Sequence, residues 1–123
     1  MNYVLIFVGG GIGATLRYGL QGVVYRFSSA GFPYGTLVVN VLGSFGIGLL
    51  MSVSEERFVV SPPLRLFLTI GILGGFTTFS SFSFETIALL RDGSYLLGFV
   101  NVGASVLVCL AATWFGLTIG KFL

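Results

Sequence analysis

Apolar residues fill this chain in four long blocks, separated by short breaks rich in proline, glycine or charge. A helix needs about 20 apolar residues to cross the hydrocarbon core of a bilayer. Four stretches reach that length, at about 3–25, 35–53, 63–90 and 95–118. The first break, RFSSAGFPYG, carries Pro33 and is a turn by composition. The second is the SEERF charge cluster, followed by Pro62 and Pro63. Two prolines suit the opening of a third helix, where missing N–H groups cost least. The third break is RDGS. No break is long enough for a separate domain, and there is no internal repeat. The pattern predicts one all-α integral membrane domain over residues 1–123, with four transmembrane helices.

The first block is the one that invites a different reading, as a signal peptide. It lacks a basic leading region, glycines 9, 10, 11 and 13 interrupt it, and Arg17 stands where a small-residue cleavage site belongs. A retained first span is expected.

Composition strengthens the membrane assignment. The chain is 55% hydrophobic and 8% charged, with a mean hydropathy of +1.04. So few charges cannot cover the surface of a soluble domain, and lipid is the expected surroundings. The net charge of +2 is too small and scattered to indicate nucleic-acid binding. With no His and a single Cys, Cys109, neither a side-chain zinc site nor an internal disulfide can form. The usual catalytic bases and nucleophiles are nearly absent, so an enzyme is not expected.

Charge placement bears on orientation. Four spans put both termini on one side, together with Arg57, Arg65 and Lys121; the other side has Arg26 and Arg91. Three basic residues against two is almost no bias. Dual topology is predicted, with two opposed copies pairing about an axis in the membrane plane; the alternative is a weakly biased single orientation. Gly9–Gly13, Gly71–Gly75 and Gly116–Gly120 are each spaced as GxxxG, which lets backbones approach closely. Four helices enclose no obvious lumen, and a homo-oligomer is expected.

One stretch is out of place. Residues 74–86, GGFTTFSSFSFET, interleave hydroxyls with phenylalanines inside an apolar span and include a carboxylate. Unpaired polar groups in hydrocarbon cost several kcal/mol, so protein or water must face this run. Helical neighbours recur at three and four positions. Thr78, Ser81 and Glu85 therefore line one stripe, and Phe79 and Phe82 share an adjacent face. In the second span Thr36, Asn40, Ser44 and Gly48 form an i+4 row; in the fourth, Asn101, Ser105, Cys109 and Thr113 form another. A single Ser or Thr is best explained by a bond to its own helix's carbonyl four residues earlier. Three aligned rows point instead to a path.

The rows offer amide and hydroxyl donors. Phenylalanine edges are electropositive, so an edge-on pair beside hydroxyls can hold a small anion without a fixed charge that would retain it too strongly. Plain packing is the alternative for Phe79 and Phe82. Arg17 and Glu85 are the charges well inside spans: Arg17 either snorkels to an interface or faces a vestibule, and Glu85 either partners it or lies near its helix end. The Gly74–Gly75 pair predicts a break in the third helix. Unwound backbone frees carbonyls that coordinate hard cations, which allows a buried monovalent cation where two opposed copies meet.

GGFTTFSSFSFET closely resembles the signature of the CrcB/Fluc fluoride channels, a glycine pair and a hydrophobic residue followed by TTFSTFS. GGGIGATLRY, GTLVVNVLGSFGIG and GAS match as well, and the resemblance spans essentially the whole chain. It implies a dual-topology antiparallel homodimer in the plasma (inner) membrane, with two fluoride pores and a central structural sodium ion. By motif, Phe79 and Phe82 would be pore phenylalanines, Asn40 the pore-facing amide, and Ser81 and Ser105 part of the polar track with Thr78 beside them. Gly74 and Thr77 would offer backbone carbonyls to sodium, and Arg17 would sit at a vestibule. Cys109 departs from the hydroxyl expected of that track, and Asn101 heads the same row with its role open. The implied activity is passive export of fluoride from the cytoplasm. Two competing readings are a small multidrug-type exporter of dual topology, which needs a carboxylate that the first span lacks, and a non-transporting membrane scaffold.

Overall fold

The computed structural model describes residues 1–28, 31–57 and 60–123, and the side chains of Glu56 and Arg57 fall outside that description. Part of the first predicted turn (Ser29, Ala30), Phe58 of the charge cluster and the Arg57 side chain used in the orientation argument therefore lie outside the described residues.

The regular elements of the described residues are all helical: α1 (Asn2–Phe27), α2 (Tyr34–Arg57), α3 (Pro62–Leu66), a π-helical segment (Phe67–Leu73), α4 (Gly74–Phe76), α5 (Phe79–Arg91) and α6 (Tyr95–Lys121). Four stretches are long and apolar enough to cross a membrane, Asn2–Phe27, Tyr34–Glu55, Pro62–Arg91 and Tyr95–Lys121. The third of these contains α3 to α5. It opens as its sequence dictates: Pro62 and Pro63 occupy the first turn of α3, and the Ser61 hydroxyl caps it by accepting from the Leu64 N–H at 3.4 Å. α5 closes on Gly93, at φ 83°, the one positive-φ glycine of the described residues. The Gly93 N–H bonds to Leu90 and that of Ser94 to Leu89, so the last carbonyls of α5 are satisfied in a Schellman turn.

The break in the third span lies at Thr77–Thr78, not at the glycine pair. Gly74 is helical, at φ −62° and ψ −39°, whereas Thr77 and Thr78 are extended at ψ 159° and 114°. Of the pair, Gly75 serves packing against α1, as do Gly9 and Gly13 from the other side. A Cβ on Gly75 would lie 2.5 Å from the Gly10 carbonyl oxygen, one on Gly9 2.9 Å from the Gly71 Cα, and one on Gly13 would collide with the Ile72 carbonyl. α1 thus lies backbone to backbone against the π-helical segment and α4. On the other side of the molecule α2 packs along α6, where Gly48 meets the Thr113 carbonyl, Gly116 meets Phe45 and Leu49, and Gly120 meets Ser52. All three GxxxG pairs are occupied within one protomer. Apart from Pro33, Val39 is the one buried apolar side chain among the described residues, and large apolar side chains cover the outside. In lipid that is the expected arrangement, because helix association relies on close packing rather than on hiding apolar surface.

Candidate functional site

The site forms where the third span breaks. In an unbroken helix the Thr78 N–H would bond to the Gly74 carbonyl. Here it bonds to Asn40 Oδ1 at 2.8 Å, while Asn40 Nδ2 donates to the Thr78 carbonyl at 3.0 Å. One side chain of α2 therefore replaces the helical partners that the extended backbone has lost. Thr78 then starts the next helix: its Oγ1 accepts from the Ser81 N–H at 3.1 Å, an N-cap, and shares a 3.3 Å hydrogen bond with the Ser80 hydroxyl. The Thr77 hydroxyl and N–H both donate to the Leu73 carbonyl, each at 3.1 Å.

An open groove of about 350 Å³ runs past this break, lined by Asn40, Ser44, Gly74, Thr77, Thr78, Phe79 and Cys109 among others. It brings together residues from all three polar rows. Phe79 is 78% exposed on the protomer and Phe82 is half-buried behind it, their rings 5.3 Å apart and tilted by 47°. Ser81, Phe82 and Ser105 do not line the groove; Ser81 and Ser105 are half-buried on α5 and α6.

Arg17 reaches the same break from α1. Its Nε donates to the Gly75 carbonyl at 3.1 Å, so its charge lies at the C-terminal end of the helical stretch that α4 closes, where the helix dipole favours a cation. Glu85 does not partner it. Among the described residues no ion pair is formed, and Glu85 Oε1 is buried without a hydrogen-bond partner.

Several row members turn out to be interhelical ties. The Thr113 hydroxyl donates to the Ser44 carbonyl at 3.0 Å, and Gln21 Nε2 donates to the Thr36 hydroxyl at 3.2 Å. Asn101, 2% exposed, donates to Thr86 Oγ1 at 2.9 Å. The bond of a hydroxyl to its own helix four residues back holds for Thr15, Ser54, Thr69, Thr77, Ser83, Thr86 and Thr118. Spacing could not reveal the Gln21–Thr36 and Asn101–Thr86 pairs, which join different helices.

For a cation, the chain offers oxygen atoms of the backbone. No group of three His, Cys, Asp or Glu stands together among the described residues. The Gly74 carbonyl, deprived of the Thr78 N–H, sits at an exposed residue beside the break. A free carbonyl is the kind of oxygen donor that hard cations take.

The sequence profile of the family described as CrcB-like protein, Camphor Resistance (CrcB), matches residues 4–117. The chain is similar to the fluoride-specific ion channel FluC of Geobacter metallireducens, 52% identical over 123 residues, covering 100% of this chain and 99% of that protein. It is 51% identical over 121 residues to the protein of the same name from Geotalea daltonii, covering 97% and 98%. With that from Geobacter sulfurreducens it shares 52% identity over 112 residues, covering 91% and 90%.

Proposed function

This chain belongs to the CrcB family, and from that premise we propose that it is a fluoride-selective passive channel, not an enzyme, in the inner membrane. It exports fluoride from the cytoplasm. The observation that carries the reading is the groove at the broken third span, where an amide, hydroxyls and the exposed ring of Phe79 converge without a fixed cation lining it. Neutral donors and ring edges attract a small anion while letting it go, which a conducting site requires.

A groove open on one side needs a second wall. The functional unit is an antiparallel homodimer of dual topology, in which the exposed Phe79 and the groove of one protomer face the other, giving two pores. A sodium ion at the dimer centre is held by the Gly74 and Thr77 carbonyls and compensates the ends of the two broken helices. Arg17 satisfies the neighbouring Gly75 carbonyl and leaves those of Gly74 and Thr77 for the ion. Asn40, Thr78 and Phe79 line the groove, and Phe82, Ser81 and Ser105, outside it, complete the anion path.

Reconstitution into liposomes loaded with fluoride or chloride tests this directly. Rapid fluoride release, with almost no chloride release and no need of a proton gradient, is the expected result. Absent fluoride flux, or an equal chloride flux, overturns it. A proton requirement would instead indicate an exporter.

A further inference from the structure

We propose that Asn101 and Thr86 form a positioning relay that sets the place of Phe82, and hence the anion selectivity, from the neighbouring helix. The proposal rests on the fluoride-channel reading above. Three observations meet here. Asn101 is 2% exposed, so its amide has left both water and lipid, a cost that only good partners offset. Its Nδ2 donates to Thr86 Oγ1 at 2.9 Å, and the Thr86 hydroxyl donates in turn to the Phe82 carbonyl at 2.7 Å. The hydrogen bonds run in one direction, from α6 through a side chain of α5 to the backbone of Phe82, whose ring lies tilted against Phe79.

α5 needs such a tie. The extended Thr77–Thr78 step cuts it off from α4, so the rigid rod of a continuous helix does not fix its direction. Its neighbours are chiefly α6, with a smaller contact to α2. Thr86 and Leu90, four residues apart, lie on the face of α5 turned to α6, and Phe82 stands one turn before them. There Gly98 admits Leu90, for a Cβ on Gly98 would lie 2.7 Å from the Leu90 side chain. Packing at Gly98 sets the distance between the helices, but apolar contact alone allows sliding and rotation. The Asn101–Thr86 bond is directional and fixes the register. Asn40 pins the start of α5 from α2, and Asn101 pins its middle from α6.

The relay acts through position, so its loss should change discrimination as well as rate. With Phe82 free to shift, the path widens and admits the larger chloride ion. Three variants read this in liposomes: Asn101→Leu, Thr86→Val, which keeps the shape and removes the hydroxyl, and the pair together. Each is expected to lower the fluoride-to-chloride flux ratio about tenfold, the effect of one buried hydrogen bond on a conformational population. Because both residues serve one link, the double variant should be no worse than either single one. Thr86→Ser, which retains the hydroxyl, should bring the ratio back towards that of the unsubstituted protein. Size-exclusion elution and thermal unfolding report assembly, and Asn101→Ser, too short to reach Thr86, replaces Asn101→Leu if the latter does not assemble. An unchanged ratio, with flux lowered only in proportion to assembled protein, overturns the relay, as does a double variant whose loss is the product of the two single losses. Failure of the unsubstituted protein to pass fluoride overturns the channel reading instead.

Discussion

The side-chain amide of Asn40 grips both backbone groups of Thr78, accepting its N–H at 2.8 Å and donating to its carbonyl at 3.0 Å. A single residue of α2 thereby stabilises the interruption that splits the third span, and the groove beside it exists because that interruption does. Asn40→Leu should remove both bonds and leave two backbone groups unpaired, at about 1–3 kcal/mol for each. Fluoride efflux, followed with a fluoride electrode, should fall at least tenfold, and thermal unfolding in detergent should move to lower temperature. Unfolding at the original temperature would show that the break holds without the amide.

The two rings are next. Phe79→Ile and Phe82→Ile keep apolar volume and remove the electropositive ring edge. Each should cut fluoride flux by about tenfold or more, on the order of 1.4 kcal/mol in the barrier, while elution of the assembled protein stays unchanged. Full flux in both variants would return these rings to a packing role.

Arg17 provides a test of the helix end. Its bond to the Gly75 carbonyl is assisted by charge, and such bonds contribute about 1.5–3 kcal/mol. Arg17→Gln retains a donor without the charge and should lose part of that stability; Arg17→Leu should lose all of it. Thermal unfolding of the two variants should fall in that order. Equal unfolding of both with the unsubstituted protein would place the guanidinium in solvent.

Sodium removal addresses the other carbonyls of the break. Dialysis against a sodium-free buffer of equal ionic strength should lower the unfolding temperature and shift elution towards the monomer, and sodium should restore both. An indifferent protein would mean that Gly74 and Thr77 hold no ion.

The glycine seam gives a stability prediction independent of transport. Gly75→Ala places a Cβ 2.5 Å from the Gly10 carbonyl oxygen, and overpacking of this kind costs about 1–3 kcal/mol. Gly22→Ala, also in a helix, meets nothing within 4 Å and should gain up to about 1 kcal/mol from helix propensity. Opposite shifts in unfolding temperature are expected.

Apolar length alone was enough for the number of spans and the membrane setting, because it is a local property and needs no knowledge of neighbours. The sequence by itself also marked residues 74–86 as the anomaly, since a polar run in hydrocarbon demands an explanation wherever it folds. It misplaced the break. Gly74–Gly75 looked like the weak point because mid-helix glycine is unfavourable, but both stay helical, and at Gly75 α1 approaches so closely that a side chain would collide with it. The extended backbone at Thr77–Thr78 finds partners for its freed N–H and carbonyl in Asn40, 38 residues away in the chain. Arg17 and Asn101 were visible as misplaced polar groups, and their partners were not. Each partner is a backbone carbonyl or hydroxyl brought near by helix packing, and a helical period orders positions on one helix while saying nothing of what faces it. Tertiary structure alone decided which polar groups tie helices together and which remain open to the groove.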